Sequence, residues 1–236
     1  MDDRYKRQII MPEITANGQK MLAESSVAVV GLGGLGSPVL YYLAAAGVGN
    51  ILLVDSDTVE ISNLNRQFLH FEQDIGRDKT QSAREKISRF NSTLQYKTCS
   101  QKLNAQNINA VIPGHDLVLS CVDNYSTRSL LNQVCIIERI PMIDGGVSGY
   151  SGYVMTILPG ISPCYHCIYP REISKTINGI LGASAGVIGS IMTAQAIKYL
   201  TGIRQGFDFL LVDLLSFSFQ TLSTKIKTDC PVCQKH

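Results

Sequence analysis

Val27-Ala-Val-Val-Gly31-Leu-Gly33-Gly34-Leu-Gly36-Ser37-Pro38 is an apolar run, a glycine-rich turn and a helix start in succession. The glycines matter because a residue without Cβ tolerates positive φ and lets backbone N–H groups approach a phosphate closely. Ser37 suits an N-cap and Pro38 a first helical turn, so the spacing predicts a helix over 38–46 with its positive end on the phosphates. Asp55 follows Gly36 by 19 residues, directly after the apolar run Ile51-Leu-Leu-Val54. A carboxylate there can bind ribose hydroxyls. Strand, Gly loop, helix and acid in this order imply a bound nucleotide, which a lone GxGxxG would not.

Further along, Asn63-Leu-Asn-Arg66-Gln and Lys79 argue that the nucleotide is not a redox cofactor. Arg66 lies 11 residues past Asp55, and Lys79 immediately precedes Thr80, the expected N-cap of a helix over 80–90. A lysine at that place opposes the helix dipole, and is tolerable if an anion sits beside it. Taken singly, Lys79 reads as an exposed lysine and Arg66 as a surface ion-pair partner. Asp123-Asn124 directly follows the apolar run Leu117-Val-Leu-Ser-Cys121-Val. With the Gly loop and Asp123, the two cations form the set a triphosphate needs: N–H donors, fixed positive charge and a carboxylate for Mg²⁺.

The 236 residues, 45% of them hydrophobic, are enough for a full α/β core, with room for at most a small appendage. A formal net charge of +2 is too balanced to point to nucleic acid or an anionic membrane. Met1-Asp-Asp-Arg4-Tyr-Lys-Arg7 is charged and no apolar segment of a secretory signal follows it. The uncharged stretch 176–197 is broken by Gly179, Gly182, Gly186 and Gly189 and carries Asn178, Ser184, Ser190, Thr193 and Gln195. It reads as a loop and then a buried helix over 186–200, not as a membrane span. The expected compartment is the cytoplasm.

Four of the seven cysteines form two pairs, Cys164-Tyr-His-Cys167 and Cys230-Pro-Val-Cys233. Together they can supply four thiolates in the tetrahedral arrangement that zinc favours. Cys167 and Cys230 are 63 positions apart, so a shared metal would tie the C-terminal tail back onto the body. A redox pair, two disulfides or unrelated thiols are the competing readings. Three leftover cysteines, Cys99, Cys121 and Cys135, favour a reducing compartment and count against disulfides. His166 lies between two of the ligands and reads as a loop residue.

Strands are expected at 27–30, 51–54, 94–99, 117–121, 142–144, 152–158 and 209–213, with a last one near 217–222. Helices are expected at 38–46, 80–90, 105–112, 126–139 and 186–200. Early strand–helix alternation and a strand-rich end predict an α/β, Rossmann-like fold. Its mainly parallel sheet continues into antiparallel strands, with a zinc-tied C-terminal region. Ligands bind at the carboxyl ends of such strands, where Asp55 and Asp123-Asn124 fall.

With these segments in view, the chain resembles the MoeB/ThiF/HesA family, bacterial relatives of ubiquitin-activating enzymes. The likeness runs nearly end to end: Arg4-Tyr-Lys-Arg7-Gln-Ile, the Gly loop, Asp55-Ser-Asp57, Ser62-Asn63-Leu-Asn-Arg66-Gln, Lys79, Asp123-Asn124, Gly145 and the paired CxxC. The resemblance implies one ThiF-type adenylation domain over 1–236, with a nucleotide-binding half over 1–145 and a carrier-binding, zinc-tied half over 146–236. It implies that Gly31, Gly33, Gly34, Gly36, Asp55, Asp57, Ser62, Asn63, Arg66, Lys79, Asp123 and Asn124 bind ATP. Asp123 would hold Mg²⁺, and Cys164, Cys167, Cys230 and Cys233 a structural zinc. Arg66, Lys79, Asp123 and Arg7 from the partner subunit of a homodimer would be catalytic.

The implied reaction is adenylation of the C-terminal glycine carboxylate, in a Gly-Gly terminus, of a small ubiquitin-like sulfur carrier, with release of pyrophosphate. Such a carboxylate, with a pKa of roughly 3.5, is already an anion at neutral pH and needs no general base. Only four histidines are present, His70, His115, His166 and His236. The difficulty is bringing one anion to another, which fixed cations would relieve. Some relatives carry a cysteine in the loop before the late buried helix, but Ser174-Lys-Thr-Ile-Asn-Gly179 has none. An external sulfur donor is then expected to attack the adenylate. The alternatives are an NAD-dependent oxidoreductase, which leaves Arg66, Lys79 and the paired cysteines unexplained, a tRNA-modifying dehydratase, which is not expected to pair its cysteines this way, and a non-catalytic nucleotide-binding scaffold.

Overall fold

Alternate residues of the central strands enter opposite cores, which explains why those strands read as unbroken apolar runs. The computed structural model describes residues 3–172, 179–203 and 209–233. In it Val27, Val29, Leu117 and Leu119 pack with Leu40, Leu43, Ala185 and Met192 on one face. Ala28, Val30 and Val118 pack with Leu131, Val134 and Ile112 on the other. Eight strands make one sheet: β1 (Ser26–Val30), β2 (Asn50–Val54), β3 (Gln95–Cys99), β4 (Leu117–Ser120), β5 (Met142–Ser148), β6 (Ser151–Ile157), β7 (Phe209–Asp213) and β8 (Ser218–Leu222).

The order is β3-β2-β1-β4-β5-β6-β7-β8. Strands β1 to β5 pair in parallel and β5 to β8 antiparallel. The chain steps from β1 outward to β3, then returns to the other side of β1 as β4. That reversal opens a crevice at the carboxyl ends of β1 and β4, the place where such sheets bind ligands. No described helix is long and apolar enough to cross a membrane.

Helices α1 (Lys6–Ile9), α2 (Thr15–Glu24), α3 (Gly36–Ala46), α4 (Lys79–Phe90), α5 (Ile108–Val111), α6 (Tyr125–Ile137), α7 (Tyr165–Ile168) and α8 (Gly182–Leu200) complete the chain. Several bounds differ from expectation for local reasons. Helix α3 begins at Gly36, so Ser37 lies inside it and its hydroxyl bonds the Gly33 carbonyl instead of capping the helix. Helix α4 begins at Lys79, and the Thr80 hydroxyl meets that of Ser100 at 2.6 Å. Helix α8 starts four residues early, at Gly182, which packs so closely that a Cβ there would lie 2.5 Å from the Asn65 carbonyl oxygen. Strand β5 continues to Ser148, while only one turn of the expected helix over 105–112 forms. Helices α1, α2 and α7 were not expected.

Candidate nucleotide site and metal centre

Gly31 ends β1 with φ of +95° and donates its N–H to the Val54 carbonyl at 2.8 Å. A Cβ on Gly36 would stand 2.0 Å from the Gly31 carbonyl oxygen, so the turn closes only with glycine there. Asp55 then fixes the loop: its carboxylate accepts Leu32 N–H at 2.7 Å and Asp57 N–H at 2.9 Å. Burial raises the Asp55 pKa, against the opposing pull of Lys79. The loop that leads into α3 lines, through Gly31, Gly33, Gly34 and Leu35, a cavity of about 870 Å³ at the switch point.

Gly31, Gly33, Gly34, Asp55, Asp57, Arg66, Lys79, Asp123 and Asn124 all line this cavity. The Lys79 ammonium is buried and meets the Asp57 carboxylate at 3.0 Å. That carboxylate is the anion that makes a lysine tolerable in the first turn of a helix. Arg66 is half-buried, its guanidinium donating to the Ser62 carbonyl at 2.8 Å and Asn65 Oδ1 at 2.9 Å. Asp123 is exposed at the carboxyl end of β4, and the Asn124 side chain caps α6 by accepting Thr127 N–H.

Four of the expected residues do not line the cavity. Gly36 lies behind the loop. Asn63 is buried in a 3-10 turn (Ile61–Asn63), where its Oδ1 accepts Glu60 N–H at 3.2 Å. Exposed Ser62 donates to the Glu60 carboxylate at 3.2 Å. This turn presents Arg66, whose N–H bonds the Asn63 carbonyl at 3.1 Å. Arg7 is exposed on α1, away from its own chain's cavity.

On the opposite face, the sulfurs of Cys164, Cys167, Cys230 and Cys233 lie within 4.8 Å of one another. Separations of 3.9, 3.7 and 3.6 Å link Cys164 to Cys167, Cys164 to Cys230 and Cys167 to Cys233. A zinc–sulfur bond of about 2.3 Å requires edges of roughly 3.8 Å in a tetrahedron, so the donor set fits that ion. These separations are too long for disulfides, about 2.05 Å between sulfurs, and all seven cysteines are free. His166 lies in the one-turn helix α7 between the first pair. Positions 174–178 of the cysteine-free segment 174–179 fall outside the described residues.

Residues 5–232 match the ThiF family. The chain belongs to that family. It is 38% identical to the SAMP-activating enzyme E1 of Haloferax volcanii, over 98% of this chain and 88% of the relative. It is 36% identical to the sulfur carrier protein ThiS adenylyltransferase of Escherichia coli, over 98% and 94%. In fold it resembles Escherichia coli MccB with ATP, at a TM-score of 0.87 and 22% identity, covering 98% of this chain and 75% of that one.

Further residues of this ThiF-family chain bear on the cavity. Gln67, beside Arg66, is buried against Gly33 and lines it, and its Oε1 has no partner among the described residues. Adjacency to Arg66 was the available signal. Arg128 lines it too, donating to the Val122 and Gly145 carbonyls at 3.1 and 2.7 Å and bonding Tyr153. Tyr153 and Ser120 both donate to the buried Asp144 carboxylate, at 2.8 and 2.6 Å. His70, under the Gly loop, bonds Leu32 and Ser82. Nothing local in the sequence marks Arg128 or His70, since their partners come from distant elements.

Proposed function

We propose that this protein is an ATP-dependent adenylyltransferase acting on the C-terminal glycine carboxylate of a ubiquitin-like sulfur carrier; the relative named as a sulfur carrier protein ThiS adenylyltransferase supports adenylation of a carrier protein. The observation that carries the reading is the joint placement of Arg66, Lys79 and Asp123 around one Gly loop at the sheet's switch point. A hydride-transfer site has no need of two cations facing a third acidic group. An intact charged set also argues against a scaffold.

In this reading the N-terminal end of α3 and the loop N–H groups receive the phosphates, and Asp55 takes the ribose. A carrier carboxylate oxygen forms a bond to the α-phosphorus as the bond to the β-phosphate oxygen breaks, yielding acyl-adenylate and pyrophosphate. Arg66, and Lys79 exchanging its contact with Asp57 for phosphate, offset the repulsion between the anions and stabilise the leaving charge. Asp123, exposed at the cavity, would hold Mg²⁺, which neutralises phosphate charge when bound. Arg7 would come from the second subunit of a homodimer, since it stands away from its own cavity. The four clustered thiols would hold zinc as a structural tie, a site compatible with the reducing cytoplasm.

The carrier is assigned to the 146–236 half. Leu215, Phe217 and Phe219 are 74%, 79% and 54% exposed in and just before β8, one of the two edge strands of the sheet, which supports an apolar docking face there. An external sulfur donor would then consume the adenylate. The test is ATP–pyrophosphate exchange with and without candidate carriers. Exchange that requires a carrier with an intact terminal glycine is expected. Carrier-independent nicotinamide reduction, or exchange stimulated by tRNA instead, would reject the reading.

A further inference from the structure

His70 is 3% exposed and directly beneath the Gly loop, yet the chemistry above does not use it. We propose that His70 is a positioning residue which, as the neutral Nε2–H tautomer, holds the Leu32 carbonyl away from the cavity and so keeps the loop in its anion-accepting form. The inference rests on the assignment of the ATP phosphates to that loop.

The contacts around the ring fit the neutral Nε2–H tautomer. The Leu32 carbonyl can only accept, so His70 Nε2, 3.0 Å away, carries a hydrogen. His70 Nδ1 in the neutral ring must then accept, which makes the Ser82 hydroxyl at 2.8 Å its donor. Lys86 Nζ, 2.9 Å from that hydroxyl oxygen, can only donate to it. Buried Asp74 receives Lys86 and Arg77 and holds the lysine in place. A protonated ring would make Nδ1 a donor, drive the Ser82 hydrogen from the ring to Asp74, and add positive charge near Lys86 and Lys79, with only Asp74 opposing. Burial and those two lysines lower the His70 pKa to about 4.

Leu32 is thus held at both ends: Asp55 takes its N–H at 2.7 Å and His70 its carbonyl. The next carbonyl, of Gly33, is taken by the N–H and hydroxyl of Ser37 at 2.9 and 2.7 Å. With both carbonyls tied to protein donors, the negative ends of these peptide dipoles do not meet the phosphates. Loss of the His70 donor frees one of them to turn.

The test compares wild type with His70→Gln, which keeps an N–H donor, and His70→Phe, which keeps a ring without one. Melting, calorimetric ATP binding and exchange kinetics are measured on each. His70→Phe should weaken ATP binding and raise the KM for ATP roughly tenfold, with kcat and the KM for carrier little changed. His70→Gln should restore most of that affinity. A merely structural histidine would lower the melting temperature in both variants and leave the KM for ATP alone, overturning the proposal. Because His70→Phe could fail to fold, ¹⁵N NMR of wild-type imidazole supplies an independent reading at about pH 6. A neutral Nε2–H ring is expected, and an Nδ1–H or charged ring overturns the assignment. A wild type that does not bind ATP would overturn both this proposal and the nucleotide assignment beneath it. Normal wild-type binding, matched by a folded His70→Phe, would overturn this proposal alone.

Discussion

In the parallel part of the sheet, the proposed function sits at strand ends: Gly31 after β1, Asp55 after β2 and Asp123 after β4 all face one cavity. In the antiparallel part it sits on the flanks, as an exposed apolar edge along β8 and as four clustered thiols. Parallel pairing returns every strand in the same direction, so successive loops collect at one rim and can be tuned separately. Antiparallel pairing sends alternate loops to opposite rims, which suits a surface better than a pocket. The two parts should therefore fail differently. Damage to the first should remove chemistry and spare the fold, while damage to the second should loosen structure or partner binding.

The largest effect is expected from the rim. Asp123→Ala and Arg66→Ala should each lower carrier-dependent pyrophosphate exchange by about 100-fold or more, the usual scale for removing one stabilising charge or donor. Their melting temperatures should stay close to wild type, because Asp123 is exposed and Arg66 half-buried. Near wild-type exchange in either variant would break the assignment of charge to this rim.

The metal should sharpen the contrast from the other side. Protein purified without chelator should carry about one zinc per chain, and Cys230→Ser should lose it. Structural zinc is worth roughly 10–16 kcal/mol in small finger peptides, where little else holds the fold. Here the sheet and both cores remain, so the expected result is faster proteolysis of the tail and a lower melting temperature without global unfolding. Elemental analysis that finds no zinc would reject the site.

Assembly tests whether one rim is complete by itself. Mixed Arg7→Ala and Asp123→Ala subunits, each inactive alone, should recover up to about a quarter of wild-type activity, since half of the dimers are mixed and each has one intact site. No recovery despite demonstrated subunit exchange would place Arg7 outside catalysis.

The same contrast decides what was legible in the sequence. The Gly loop, Asp55 and Lys79 act through local spacing, a few residues from a strand end or helix start, so residue type and position suffice. The Ser37 and Thr80 hydroxyls misled because each prefers a partner outside its own helix terminus: Gly33 in the loop, and Ser100 beyond β3. Gly182 at the start of α8 read as a helix breaker, yet its lack of a Cβ admits the Asn65 carbonyl, as that of Gly189 further along admits Pro38. Helix α2 was not expected, and its Gly18 is buried between Ile14 and Thr201, a residue distant in sequence. The networks of His70 and Arg128 were beyond reach because their partners come from separate elements and meet only in the fold.

The smallest effect is expected from the three cysteines outside the thiol cluster. A covalent sulfur intermediate needs a thiol that is accessible and readily ionised. Cys121 is buried after β4 with its pKa pushed up by desolvation and by Asp144. Cys135 is fully buried in α6 and pushed up to about 12 by burial. Cys99, half-buried at the end of β3, is the most accessible of the three. None of them lies in the antiparallel half, where the carrier is proposed to dock. Replacing all three by Ala or Ser should therefore leave pyrophosphate exchange and carrier thiocarboxylate formation with a sulfide source essentially unchanged, provided the folded fraction is matched by melting. A reductant-sensitive adduct between wild-type protein and carrier, missing from the triple variant, would move part of the chemistry from the external donor onto this chain.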